Sequence, residues 1–195
     1  MILIIDFGSQ YNQLIARRVR EAHVYCQIEP PSISAAQIKA LAPEGIILSG
    51  GPASIYEKGS PRVDAGIFDL EIPVLGICYG MQYMVDTLGG KVSKAQKREY
   101  GFAELRTKDA TGIFDSIEKE MRCWMSHGDH IQRIPRGFKI TASTPNTRVA
   151  AIENTKKGFY GLQFHTEVAH TPKGKMMLMN CLFGVWGWGR GWRMD

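Results

Sequence analysis

Hydrophobic and polar positions in the first half of the chain follow the pattern of strands that are each followed by a helix. Short apolar runs predict buried strands, and the residues between them repeat with the period of an amphipathic helix. The strands are predicted at 1–5, 24–28, 45–48 and 74–77, and the helices at about 11–21, 34–41 and 81–88. Alternating strands and helices pair in parallel, so the pattern predicts an α/β domain with a mostly parallel central sheet flanked by helices.

The second half of the chain changes this pattern before returning to it. Between Gly90 and Ser143, shorter apolar runs separated by turns predict a small antiparallel excursion. The aromatic and apolar run 159–164 predicts a strand that rejoins the central sheet, and 172–182 predicts a closing helix with proline in its first turn. A chain of 195 residues with 44% hydrophobic content can form one well-buried domain.

Cys78 lies where a predicted strand ends and a helical pattern begins, with Gly76 and Gly80 two residues away on either side. The order strand, sharp turn, helix and the spacing G-x-C-x-G match a nucleophile elbow. At the N-terminus of a helix, free amides and the helix dipole favour a thiolate and can bind an oxyanion. The elbow also predicts that the amide of Tyr79, directly after the nucleophile, contributes to an oxyanion hole. The alternative is a structural cysteine, since free cysteines are often buried.

His165 directly follows the predicted strand 159–164, and Glu167 comes two residues later. A cysteine nucleophile needs a base, and the base needs a partner that orients its ring. Residues i and i+2 of an extended segment share a side, so Glu167 is expected to reach His165. If both strands belong to one parallel sheet, Cys78 and His165 meet at its carboxyl edge. A surface histidine beside an ordinary glutamate is the alternative for this pair taken alone.

Charge and cysteine content restrict the kind of protein. The net charge is +5, and the basic stretch 91–98 lacks the interleaved aromatic residues that are typical of nucleic-acid binding, so no nucleic-acid partner is predicted. No apolar run is long enough to span a membrane, and no signal pattern begins the chain. Four cysteines without a CxxC pair indicate a reducing compartment, so a cytoplasmic protein is expected, with Cys26, Cys123 and Cys181 as structural thiols. No metal-ligand spacing is found, and no metal is predicted.

Several motifs together resemble the class I, or triad, glutamine amidotransferases. They are the Cys78 elbow, Ser49-Gly-Gly-Pro52 after a strand, and His165-x-Glu167. The opening Asp6-Phe-Gly-Ser-Gln-Tyr11, the segment Trp124-Met-Ser-His-Gly-Asp129 and the segment Glu167-Val-Ala-His-Thr171 resemble the glutaminase domain of bacterial GMP synthetases in particular. The resemblance covers essentially the whole chain.

The resemblance implies roles for further residues. Cys78, His165 and Glu167 would form a catalytic triad, and the amide of Gly51 would join that of Tyr79 in the oxyanion hole. Paired glycines after a strand do let backbone amides approach a ligand, although Gly50-Gly51 is also compatible with a plain tight turn. Family members contact the glutamine substrate at the positions of Gln82, Ser126, His127 and Asp129. From its residues alone, the segment 126–129 is predicted to be a polar loop, and a turn or capping role for His127 stays open.

The resemblance also implies a partner and a domain boundary. In the family this domain hydrolyses L-glutamine and sends ammonia to an ATP-pyrophosphatase domain, which aminates XMP to GMP. ATP and Mg²⁺ would belong to that partner, with no cofactor in this chain, and a dimer is expected for the full-length enzyme. Residues 1–185 would form the amidotransferase domain, and residues 186–195, rich in tryptophan and glycine, resemble the linker to the partner.

Two positions depart from the family pattern. Thr166 replaces the proline that usually separates the histidine from the glutamate, which should loosen the pair without removing either group. Trp186 and Trp188 replace residues that are commonly cysteines in the bacterial proteins. Three alternatives stay open: a glutaminase that serves another synthesis, a silent glutamine-binding module, and a general cysteine hydrolase of the elbow type.

Overall fold

The computed structural model describes residues 1–188, apart from the side chains of residues 95–98. The described residues form one nine-stranded mixed sheet with helices on both faces. The strands are β1 (Ile2–Ile5), β2 (Cys26–Glu29), β3 (Gly45–Leu48), β4 (Val74–Ile77), β5 (Lys91–Thr107), β6 (Glu120–Arg133), β7 (Lys139–Ser143), β8 (Ala151–Asn154) and β9 (Phe159–Leu162). The helices are α1 (Asn12–Glu21), α2 (Ala35–Leu41), α3 (Tyr79–Thr87) and α4 (Gly174–Met179).

Five strands form the parallel part of the sheet in the order β2-β1-β3-β4-β9. In β1, β3, β4 and β9 the side chains are buried on both faces, because successive residues point to opposite sides of the sheet and helices cover both. In β1, Ile2 and Ile4 belong to the core beneath α1 and α4, whereas Leu3 and Ile5 belong to the core beneath α2 and α3. The prediction of a mostly parallel sheet between two helical layers is confirmed.

The other four strands extend the sheet in antiparallel pairing, in the order β9-β8-β7-β5-β6. The antiparallel excursion is confirmed, but the prediction of short strands was wrong for β5 and β6, which have 17 and 14 residues. The register of their pairing shifts between Lys94 and Glu99. Such an irregularity lets a strand continue through a segment whose polar pattern suggests a turn.

The start of α2 follows a local signal in the sequence. The side chains of Ser34 and Gln37 form a capping box at the start of α2. The predicted closing helix 172–182 is instead α4 followed by a π-helical segment, Asn180–Val185. Beyond it, Trp186 packs so closely on Gly45 that a side chain there would overlap the indole ring. Residues 189–195, most of the predicted linker, lie outside the described residues, and the boundary at 185 stays a prediction.

Within residues 1–188, no helix is long and apolar enough to cross a bilayer. The same residues contain no group of three or more histidine, cysteine or acidic side chains arranged for a metal ion. Four side chains of the basic stretch 91–98 lie outside the description, so its predicted lack of nucleic-acid binding stays a prediction.

Candidate active site

The carboxyl ends of β3, β4 and β9 lie next to one another, and the segments that follow them converge on one cavity of about 820 Å³. This edge is where parallel sheets place their ligands. The cavity is lined by residues from five parts of the chain: Gly8–Tyr11, 51–54 with 56–57, Cys78 with Gln82, Ser126–Asp129 and His165, together with Lys94 and Tyr100. Of the nine site residues predicted from the sequence, seven line this cavity; Tyr79 directly follows Cys78, and Glu167 is hydrogen-bonded to His165.

Cys78 adopts the strained backbone that a nucleophile elbow requires, with φ +51° and ψ −108°. Its amide donates to the Leu162 carbonyl of β9 (2.7 Å), which fixes the turn to the neighbouring strand. Gly80 packs directly on the Leu48 carbonyl, and a Cβ on Gly76 would lie 2.7 Å from the amide nitrogen of Met81. The two glycines are therefore required by the close approach of α3 to the strands.

His165 and Glu167 form a buried pair, with 2.7 Å between Nδ1 of the imidazole and Oε1 of the carboxylate. Burial alone would lower the pKa of His165, but hydrogen bonds with Cys78 and Glu167 outweigh it and raise the pKa to about 11. A pKa raised in this way favours the protonated imidazole at neutral pH. The predicted pairing is present, but β9 ends at Leu162, so both residues belong to the segment after the strand rather than to extended strand backbone.

The backbone of His165 is held from two sides. Its amide donates to the Trp124 carbonyl of β6 (3.0 Å), and its carbonyl accepts a hydrogen bond from the Thr171 hydroxyl. The same hydroxyl accepts from the Trp124 amide (3.1 Å). Thr166, which replaces the proline of the family pattern, is buried between these contacts, and the imidazole–carboxylate distance stays short.

The glycine pair after β3 lies against the nucleophile and the imidazole. A Cβ on Gly50 would lie 2.9 Å from Cε1 of His165 and 3.6 Å from Cβ of Cys78, so these two side chains approach the same point. A Cβ on Gly51 would lie 2.5 Å from the Phe7 carbonyl oxygen. Across the cavity, Tyr79 is the first residue of α3, and its amide is one of the helical donors without an intrahelical acceptor.

Ser126, His127 and Asp129 lie within β6, so the prediction that they form a loop was wrong. Their polarity is compatible with a strand because the buried members have partners. The Asp129 carboxylate accepts from the Ser54 hydroxyl (2.5 Å), and the Asp129 carbonyl lies 2.8 Å from Nδ1 of His127. The Ser126 carbonyl lies 3.6 Å from Sγ of Cys78.

Sequence reasoning missed Glu99, a buried carboxylate behind His127. Its oxygens accept from the hydroxyls of Thr144 and Thr147 and lie 3.5 Å from Nε2 of His127. Burial opposes ionisation, but the adjacent His127 and the hydrogen bonds from the two threonines lower the pKa of Glu99. Glu99 falls in the irregular, strongly polar stretch of β5, where it is one of several charged residues in the sequence.

Gln163 was missed as well. It is fully buried next to β9, and its side-chain amide contacts both Gln82 (3.2 Å) and Sγ of Cys78 (3.7 Å). Gln82 lines the cavity, and its amide nitrogen also donates to the Asp129 carbonyl (3.3 Å). The signal that the sequence offered was a glutamine within the apolar run 159–164.

The model of the class-I glutamine amidotransferases matches residues 3–185. The chain belongs to this family. Among curated relatives, it is 53% identical over 194 residues to a glutamine-hydrolysing GMP synthase from Heliobacterium modesticaldum and 52% identical to one from Acetivibrio thermocellus. Both matches cover 100% of this chain and 38% of the relative, so the chain spans well under half the length of those proteins.

Solved structures agree with this assignment. A candidate GMP synthase subunit from Thermoplasma acidophilum superposes with a TM-score of 0.87 at 29% identity, covering 97% of this chain and 95% of that one. A glutamine amidotransferase from Thermotoga maritima superposes with a TM-score of 0.74 at 19% identity, covering 95% and 97% of the two chains. The second comparison supports the fold alone.

Proposed function

We propose that this chain hydrolyses L-glutamine to glutamate and ammonia, with Cys78, His165 and Glu167 as its catalytic triad. The observation that carries the proposal is the strained Cys78 elbow beside the buried, hydrogen-bonded His165–Glu167 pair, in a cavity of a class-I glutamine amidotransferase. A cysteine beside an imidazole that a carboxylate orients is a ready nucleophile, because sulfur reacts as the thiolate and the imidazole lies where it can hold the proton.

In the first half of the reaction, the Cys78 sulfur attacks the side-chain amide carbon of glutamine. A C–S bond forms, and the carbonyl oxygen takes up the negative charge. The amides of Gly51 and Tyr79 are the proposed donors to this oxyanion. His165 then gives its proton to the amide nitrogen, the C–N bond breaks, and ammonia leaves a thioester on Cys78.

In the second half, neutral His165 removes a proton from water as the water attacks the thioester. The C–S bond breaks, glutamate is released, and the thiolate–imidazolium pair is restored. Glu167 keeps one ring nitrogen of His165 occupied, so that the other faces the reacting groups.

The proposed glutamine-binding residues surround the nucleophile. Ser126, His127 and Asp129 present backbone and side-chain polar groups to the cavity from β6, and Gln82 presents its side chain from α3. Because the side chains of His127 and Asp129 already have protein partners, we expect them to shape and polarise the pocket as well as to contact the substrate's amino and carboxylate groups.

We further propose that the ammonia serves the ATP-dependent amination of XMP to GMP. This rests on relatives named glutamine-hydrolysing GMP synthases, of which the chain matches 38%. ATP and Mg²⁺ would bind to the synthetase portion rather than to this chain, and the complete enzyme would act as a cytoplasmic dimer.

An exposed aromatic surface beside the cavity is suited to contact that synthetase portion. Phe102 is 61% exposed and stacks edge-on against Trp124 (5.3 Å between ring centroids), which in turn packs on His170 (4.5 Å). Tyr100, on the same strand, is 63% exposed and lines the cavity. A partner that covers this surface would lie over the cavity and, through the Trp124 backbone, next to His165.

Glutamate release tests the proposal. Purified chain is incubated with L-glutamine, with and without the synthetase portion supplied with XMP, ATP and Mg²⁺. Glutamate release that the synthetase stimulates, together with GMP formation, is the expected result. Release that ignores the synthetase would leave a glutaminase with another acceptor, and no release under either condition would favour a silent glutamine-binding module.

A further inference from the structure

Gln163 connects the nucleophile to the strand that lines the glutamine pocket. The connection consists of three hydrogen bonds. Nε2 of Gln82 donates to the Asp129 carbonyl (3.3 Å) and to Oε1 of Gln163 (3.2 Å), and Nε2 of Gln163 donates to Sγ of Cys78 (3.7 Å). Gln82 is 3% exposed and Gln163 is fully buried, so these contacts are shielded from water.

The orientation of the Gln163 amide follows from its neighbours. The Asp129 carbonyl can only accept, so Gln82 must turn its NH₂ group towards it. The same NH₂ group reaches Gln163, which must therefore present its oxygen to Gln82 and its own NH₂ group to the sulfur of Cys78. The Gln163 backbone is fixed as well, because its amide donates to the Ala150 carbonyl (2.9 Å).

Two neighbours of the sulfur favour opposite protonation states. The Ser126 carbonyl, 3.6 Å from Sγ, can only accept a hydrogen bond and therefore favours the neutral thiol. The Gln163 NH₂ group can only donate to sulfur and therefore favours the thiolate. Unlike His165, Gln163 keeps its donor through the whole reaction, including the step in which His165 has given its proton away.

We propose that Gln163 is a positioning residue that holds the Cys78 thiolate in place and links it to the glutamine-binding strand β6. The inference rests on the proposed function, in which Cys78 is the nucleophile. It predicts that a change in the β6 backbone at Asp129, such as glutamine binding would cause, reaches the sulfur through Gln82 and Gln163.

Gln163→Glu tests this role with little change in shape. Glutamate keeps an oxygen that can accept from Gln82, but it replaces the donor to the sulfur with a carboxylate oxygen. Alkylation of Cys78 by iodoacetamide at pH 7 is expected to be about tenfold slower, and its rate is expected to reach half its maximum at a higher pH. Gln37→Glu is the matched control, because Gln37 is exposed in the capping box of α2 and glutamate can replace it there.

An alkylation rate and pH profile equal to those of the parent, in a folded Gln163→Glu protein, would overturn the proposal. If that variant does not fold, the side-chain amide resonance of Gln163 in the unmodified parent gives a second test. It should shift when Cys78 is alkylated, and an unchanged resonance would also overturn the proposal. Alkylation needs no glutamine, so the test stands even if the parent releases no glutamate, a result that would count against the proposed function alone.

Discussion

Cys78→Gly is expected to produce a more stable protein than Cys78→Ala, although both changes remove the nucleophile. The reason lies in the backbone at this position, where φ is +51° and ψ is −108°. An L-residue in this conformation is strained because its Cβ crowds the backbone, and alanine keeps that Cβ. Glycine has none and adopts the conformation freely.

The size of the effect follows from two opposing terms. Relief of backbone strain is worth about 1–3 kcal/mol. The greater freedom of glycine in the unfolded chain offsets about 0.5–1 kcal/mol of this. The net gain of Cys78→Gly over Cys78→Ala is therefore about 1 kcal/mol, which corresponds to a rise in melting temperature of about 2–4 °C for a chain of this length.

Thermal unfolding followed by circular dichroism measures the difference, and helix α2 provides an internal control. Ala42 has φ +47° at the C-terminal end of α2, whereas Ala40 is exposed within the helix. Ala42→Gly should raise the melting temperature and Ala40→Gly should lower it, since each changes the free energy of unfolding by about 0.5–1 kcal/mol in the corresponding direction. If these controls behave as expected and Cys78→Gly melts at or below Cys78→Ala, the strained elbow is refuted.

Three further predictions concern packing, the imidazole and the partner. Gly80→Ala should prevent folding or cost several kcal/mol in urea unfolding, since its Cβ would overlap the Leu48 carbonyl; a near-native midpoint would contradict the close packing. Glu167→Gln should lower the rate of glutamate release by about 10²-fold to 10⁴-fold. In the parent, the raised pKa of His165 stabilises the fold fully near pH 6.5, and this stabilisation is lost as pH rises towards 11. In Glu167→Gln the free energy of unfolding should therefore fall less steeply over this pH range. Equal slopes of unfolding free energy against pH in parent and variant would contradict this. Phe102→Ser should abolish stimulation by the synthetase but not basal glutamate release, whereas Tyr25→Ser, at a similarly exposed aromatic position (66%), should affect neither.

The parallel half of the fold could be predicted closely from the sequence. The strands at 45–48 and 74–77 have the predicted bounds, because a short run buried on both faces of a sheet must be apolar throughout. The antiparallel half could not be predicted as closely, because one face of β5 and β6 is exposed and polar residues interrupt the apolar pattern. The register shift between Lys94 and Glu99 removes what periodicity remains.

Some residues of the candidate site could likewise be predicted from the sequence, and others could not. The positions of Cys78 and His165 could be predicted because each follows, directly or closely, a parallel strand at the carboxyl edge of the sheet, whereas the role of Gly51 was implied by the family resemblance. Gln163 and Glu99 were not, because their importance comes from contacts across the fold with Cys78 and His127. A buried polar side chain leaves little trace in the sequence when its partner lies many residues away.

The most direct test of the account is covalent labelling by a glutamine analogue that carries an electrophilic carbon in place of the side-chain amide. Burial raises the pKa of the other three thiols, Cys26, Cys123 and Cys181, which should keep them unreactive at neutral pH. After labelling at pH 7, peptide mapping by mass spectrometry should find one label per chain, on Cys78, and excess L-glutamine should protect against it. A label on another cysteine, no label, or labelling that L-glutamine does not slow would contradict the assignment of Cys78 as the nucleophile of a glutamine-hydrolysing site.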